Sequence, residues 1–327
     1  MKKIFVRSPY FIQTTVPADR SKAVVRLYIW NKLQTEPTTP TYVLEKFLPS
    51  ANNRNLNFNI SNYVKEFINP IAPFINLLFI EEQEMWAFCK VEILYNDITV
   101  ISTETFVCLN GYTNYMGGYN QSTSATDVRL FNPNVIFNHN EYVNVWIDSS
   151  ARLMSWNGGS NFTSTGNVYK LPLVNGVNVL IADSVSIITV NALLQCENIY
   201  TPVKCQYINS FGGWETITFY KAKSESLSVE SKEFNSMQPT VNYNPLLGQS
   251  QTYNFQGTKS IKMNTGFVQE NYSELLQNLM TSNVILLDRV PVLLKTKNLD
   301  YKTRLKDNNI NYEIDFSYNF GLINDKI

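Results

Sequence analysis

A chain of 327 residues, 44% hydrophobic and 13% aromatic, is long enough for two or three domains, each with its own core. Charged residues make up 17% and cancel to a net charge of zero, so there is no electrostatic footprint for nucleic acid or an anionic membrane. No stretch approaches the ~18 apolar residues of a membrane span, and the longest, residues 71–80, is interrupted by Pro73 and Asn76. So little net charge favours association, as in a protein that lives in an assembly.

Asparagine is the unusual residue, with 40 copies against 13 glycines and 13 prolines. It tolerates the left-handed backbone and bonds to its own chain, so it can hold turn positions usually given to glycine. The opening MKKIFVRSPYFIQTTV has no sustained apolar stretch before Arg7 and Ser8 and does not read as a signal peptide. The four cysteines, Cys89, Cys108, Cys196 and Cys205, form no C-x-x-C pair and read as buried thiols of a reducing cytoplasm. A Cys196–Cys205 disulfide stays open.

Residues 1–108 read as a β-sandwich with one short helix. Residues 23–30 and 42–47 are rich in β-branched and aromatic side chains, and Leu56, Phe58 and Ile60 alternate after an Asn-rich turn. Ser61 or Asn62 can cap a helix whose apolar stripe is Tyr63, Val64, Phe67 and Ile68, stopped by Asn69–Pro70. In residues 84–95, Met85, Ala87, Cys89, Val91, Ile93 and Tyr95 fall on one face. Residues 109–124, rich in Gly, Tyr and Asn, read as a linker. A second sandwich is expected over 125–240, with strands at 142–147, 177–181, 185–190 and 214–220 and hairpin turns at Asn157–Gly158–Gly159 and Asn175–Gly176. Residues 241–327 read as a small α+β module. There Asn271 and Glu274 resemble a capping box, and Leu275, Leu276, Leu279 and Met280 form a helical stripe. The module ends in a long strand in which Ile310, Tyr312, Ile314, Phe316, Tyr318 and Phe320 alternate with polar residues. The fold class is therefore mostly β: tandem immunoglobulin- or fibronectin-like sandwiches and an α+β C-terminal module.

Catalytic chemistry has little to build on. Any Ser-His-Asp or Cys-His site must use His139, the single histidine, which lies in an Asn-rich loop with no nucleophile turn beside it. One histidine and scattered cysteines do not make a usual zinc site. Glu81, Glu82 and Glu84 read as a solvated turn rather than a carboxylate pair. Without EF-hand, G-x-x-x-x-G-K-S/T or G-x-G-x-x-G spacing, Gly117–Gly118, Gly158–Gly159 and Gly212–Gly213 read as turn glycines. No cofactor or metal is expected, and the chain reads as a non-enzyme. Two constellations point to binding. Tyr112, Tyr115, Tyr119 and Asn120 have the composition of an antibody loop and could grip a protein or stack on a sugar; tyrosines packed on their own domain are the plainer alternative. Trp156, with Trp146 and Trp214, could form a glycan platform, whereas tryptophan in a sandwich is usually core.

Three stretches resemble virion proteins of phages that infect Bacteroidota. SPYFIQTT, VVRLYIWN and NFNISNYVKEFI resemble their opening sandwich. CQYINSFGGWETITFYKAKSESLSVESKEF resembles a second recurring block, and the segment from NTGFVQENYSELLQNLM to NYEIDFSYNF resembles their C-terminal module. The overall character is similar to structural proteins of crAss-like bacteriophages. The resemblance implies a virion component made in the host bacterial cytoplasm, such as a head fibre, collar or tail part, with other virion proteins or further copies as partners. It transfers no site residues. A glycan- or receptor-binding adhesin is the competing reading.

Overall fold

The computed structural model describes residues 1–31, 34–50, 52–69, 85–96, 99–118, 120, 122–124, 127–135, 137–138, 141–150, 152–193, 199–237, 241–242, 244, 246, 248–301 and 310–321. It is mostly β, with several sheets. The chain divides into two compact units, Met1–Cys196 with Tyr207–Thr216 and Thr281–Asn283, and Glu197–Gln206 with Ile217–Met280 and Val284–Ile327. This division differs from the three segments expected from the sequence.

The first unit opens with a six-stranded sheet. Its strands are β1 (Lys2–Phe5), β3 (Lys22–Trp30), β4 (Tyr42–Phe47), β6 (Trp86–Tyr95), β7 (Thr99–Leu109) and β8 (Thr123–Ser124), in the order β4-β3-β6-β7-β1-β8. The pair β2 (Phe11–Thr15) and β5 (Asn55–Asn59), with helix α1 (Ser61–Lys65), completes a sandwich. Ile12, Leu56, Phe58, Ile60 and Val64 pack with Val25, Leu27, Cys89, Phe106 and Cys108 in one core. The period-2 alternation of the sequence puts these side chains on one face. In β6 Ala87, Cys89 and Val91 lie on that face and the half-buried Ile93 and Tyr95 pack against the same core, while the register shift beside Ile93/Leu94 leaves its extra residue, Ile101, on β7.

The expected helix forms without its expected cap: Ile60 occupies the N-cap and no side chain caps the helix. Ser61 Oγ instead donates to the Ser8 carbonyl, fastening the helix to the β1–β2 turn. Pro70, residues 71–80 and Glu81, Glu82 and Glu84 lie outside the described residues, as do Tyr119, His139 and Cys196.

A second sandwich in the same unit has a three-stranded and a five-stranded sheet. The first is β9 (Asp127–Arg129), β11 (Tyr142–Ile147) and β14 (Asn167–Pro172), in the order β14-β11-β9. The second is β10 (Phe137–Asn138), β12 (Leu153–Trp156), β13 (Phe162–Thr163), β15 (Gly176–Ala182) and β16 (Val185–Leu193), in the order β10-β16-β15-β12-β13. Asn157 and Gly158, both at positive φ, turn β12 into β13 as expected. Asn175–Gly176 corrects the expectation: it joins β14 to β15, which lie in different sheets, so it is a corner between layers and not a hairpin.

Within 109–124, Leu109, Gly111 and Asn120 are tied down rather than free. Leu109 and Gly111 carbonyls accept from Val6 and Arg7 amides, and Asn120, itself buried, donates to the Phe5 and Ser8 carbonyls.

The remaining strands form a seven-stranded sheet in the order β18-β17-β21-β22-β23-β20-β19. They are β17 (Val203–Ile208), β18 (Trp214–Phe219), β19 (Ser224–Asn235), β20 (Ser250–Asn264), β21 (Ile285–Leu287), β22 (Val290–Leu294) and β23 (Glu313–Tyr318). The second unit also holds helix α2 (Tyr272–Met280), which buries Leu275, Leu276 and Leu279 as its stripe requires. The C-terminal strand buries Ile314 and Phe316 as expected, but is shorter than its sequence pattern: Ile310 makes only an isolated bridge to Val268, and Phe320 is exposed.

Candidate assembly and binding surfaces

In the Tyr-rich segment the aromatic rings separate. Tyr112 is half-buried; its hydroxyl lies 2.8 Å from Thr281 Oγ1, and the Arg7 guanidinium sits 4.9 Å from its ring centroid. Arg7 also donates to the Thr281 carbonyl at 2.7 Å, so Tyr112 is a structural contact of the first unit. Tyr115 stands on a one-turn 3-10 helix, Tyr115–Gly117, capped by Asn114, and is 97% exposed beside the exposed Met116. The structure thus leaves Tyr115 as the one described tyrosine of this segment that is available to a ligand.

The tryptophans are interior. Trp156 is 5% exposed, packs in the second sandwich core, and donates its indole N–H to the Pro172 carbonyl at 2.7 Å. Trp146 stacks edge-on against Trp86 at 4.6 Å, and Trp86 donates to Asn167 Oδ1 at 2.9 Å, joining the two sandwiches of the first unit. Trp214 is buried as well. None of the three presents a face to solvent.

The hairpin between β17 and β18 carries a buried polar cluster that sequence reasoning passed over. Asn209 Oδ1 accepts from the Phe211 and Gly213 amides, and its Nδ2 donates to the Leu130 carbonyl. Asn144 donates to the Trp214 carbonyl. The Tyr207 hydroxyl donates to Glu215 Oε2 at 3.0 Å. Burial pushes the Glu215 carboxyl up to about 7; hydrogen bonds from Tyr207, Asn132 and Asn209 oppose the rise, and the nearby Glu141 carboxylate adds to it. The N-x-F-G-G-W spacing from Asn209 to Trp214 was the available signal: a side chain that bonds backbone two and four residues on places Asn at its head. The Glu215 carboxyl is wholly enclosed, and Asn209 organises the turn beside it.

A groove of ≈ 570 Å³ in the first unit is lined by β4, β5 and α1 residues including Lys46, Phe58, Tyr63 and Glu66. Its acids are already engaged, Glu45 by the Lys22 ammonium and Glu66 by the Tyr42 hydroxyl.

The ribbon is a long exposed feature that carries apolar side chains. Every residue of β19 is exposed, as are residues 250–256 of β20. β23 pairs with β20 only over Ser260–Asn264, so the outer part of the hairpin is two strands with both faces in water. Leu227 and Val229 are each 54% exposed, and Phe234, Tyr253 and Phe255 are exposed beside them. A two-stranded ribbon is marginal in water by itself, so such an arm gains from being covered. The sequence concealed it because the expected domain boundary at 240 falls between its strands. No protein-family model, curated protein or solved structure matches the chain.

Proposed function

We propose that the chain is a non-enzymatic structural protein of a crAss-like bacteriophage particle. In this reading it is a head-fibre, collar or tail component that docks on the particle and assembles with itself or with other virion proteins, after synthesis in the host bacterial cytoplasm. Its sandwiches serve as rigid immunoglobulin-like spacers. The observation that carries the reading is the β19–β20 arm, a long ribbon whose apolar side chains have no cover within the chain among the described residues. The motif resemblance along the sequence supplies the kind of assembly. Mass spectrometry of density-purified, nuclease-treated particles of the encoding phage tests it. Peptides of this chain at a fixed ratio to the major capsid protein are expected; their absence from particles and presence only in lysate overturns the reading.

A receptor-binding role is the second reading, and exposed Tyr115 beside Met116 is the observation that favours it. Substitution Tyr115→Ala would then reduce adsorption of particles to host cells at least about tenfold while leaving particle yield unchanged. Unchanged adsorption would reject it.

A further inference from the structure

We infer that the outer edge of β19 pairs antiparallel with the same edge of a second copy of this chain, about a two-fold axis at Ser228. The inference rests on reading the arm as an assembly element, and it names the partner of that arm. β19 is the last strand in its sheet order, so its outer row of N–H and C=O groups has no strand partner among the described residues. Long edges are usually blunted by charged side chains, by proline, by a bulge in the edge strand or by covering structure; β19 carries Glu225, Glu230, Lys232 and Glu233, and these charges restrict the registers it can adopt. β19 contains no proline. The register irregularity at Glu230/Lys232 places its extra residue on β20, where Asn254 takes a positive φ, so the β19 edge itself stays regular.

Charge and side-chain type then select the register. Opposed residues of an antiparallel pair share a face, so self-pairing is centred on one residue and sets positions equally far before and after it against each other. A centre at Val229 sets Glu225 against Glu233. A centre at Glu230 or Lys232 puts like charges on the axis itself. Like charges directly opposed are destabilising. A centre at Ser231 sets Glu230 against Lys232 but places Val229 against Glu233. A centre at Ser228 opposes no like charges. It sets Leu227 against Val229 twice, gathering four exposed apolar side chains on one face, and places each of Glu225, Glu230 and Lys232 opposite a serine. Registers centred closer to either end of β19 shorten the ladder.

The test uses the full-length chain with Ser228→Cys under mild oxidation at about 20 μM, the unvaried chain serving as control for the native thiols. A covalent dimer is expected in most of the protein. Thr258→Cys, on the neighbouring strand, is expected to give none, since three strand spacings of ~4.8 Å separate the two copies of that position. Adding Leu227→Lys, a change at an exposed site that leaves folding intact, is expected to cut the Ser228→Cys dimer at least about fivefold. Failure of Ser228→Cys to cross-link, or cross-linking by Ser231→Cys in its place, overturns the inference. So does a dimer by light scattering that Leu227→Lys leaves unchanged, because self-association would then lie on another surface. These outcomes leave the virion reading untouched, which stands or falls on the particle mass spectrum.

Discussion

At the scale of single residues, burial decides what the titratable groups can do. Glu215 is enclosed with Tyr207, and its carboxyl titrates near 7 instead of near 4.5. Between those values the folded chain holds a proton that the unfolded chain releases. This group's contribution to stability is therefore full below about 4.5 and is lost as pH rises through about 7, by on the order of 3 kcal/mol. Glu215→Gln, which cannot ionise, is expected to flatten the urea midpoint between pH 5 and pH 8 and to raise it at pH 8. A variant whose midpoint falls with pH like the parent's would show that the slope comes from elsewhere. The cysteines follow the same logic. Cys89, Cys108 and Cys205 are free and buried, and burial pushes the Cys108 and Cys205 thiols up, Cys108 further through its neighbour Cys89. Peptide mapping after iodoacetamide is expected to find these three unmodified in native protein and modified in urea. Rapid native labelling at any of them would contradict their enclosure.

At the scale of elements, periodicity made the strands legible and long-range pairing hid the rest. Residues 42–47 and 142–147 were readable to the residue because both runs are dense in β-branched and aromatic side chains. Asn175–Gly176 carried a correct turn signal and a wrong partner, since local sequence encodes the bend but not which sheet receives the next strand. The C-terminal pattern overran its strand because Ile310 and Tyr312, though buried, precede the regular ladder, Ile310 making only a bridge to Val268. The β17–β18 turn shows a constraint legible only in three dimensions. A Cβ on Gly213 would lie 2.4 Å from the Leu130 carbonyl oxygen, and one on Gly212, at φ 84°, would lie 2.7 Å from the Gly111 amide nitrogen. Gly213→Ala is therefore expected to lose at least about 2 kcal/mol in denaturant unfolding, as backbone must move to admit the methyl group. By contrast, Gly117→Ala, with open space around it, is expected to stay within about 0.5 kcal/mol of the parent. Equal effects at the two glycines would refute the packing argument.

At the scale of the whole molecule, the sequence made the mostly-β class readable, while the surface that matters most to the proposal was not. Trp156 and Tyr112 looked like binding residues by type and turned out to be core and support, because aromatic content alone does not say which side of a sheet a ring faces. The arm went unread because Ser, Glu and Lys alternating with Leu227 and Val229 is also the pattern of a half-buried strand. Its exposure depends on how few strands stand beside it. Under the proposal, that arm has a role in assembly. The most direct test of that account is immunogold electron microscopy with antibody to the purified chain, on intact and on disrupted particles of the encoding phage. The account predicts label at one fixed station, on head vertices, collar or tail. Label on neither intact nor disrupted particles, with signal only on bacterial surfaces, would contradict it.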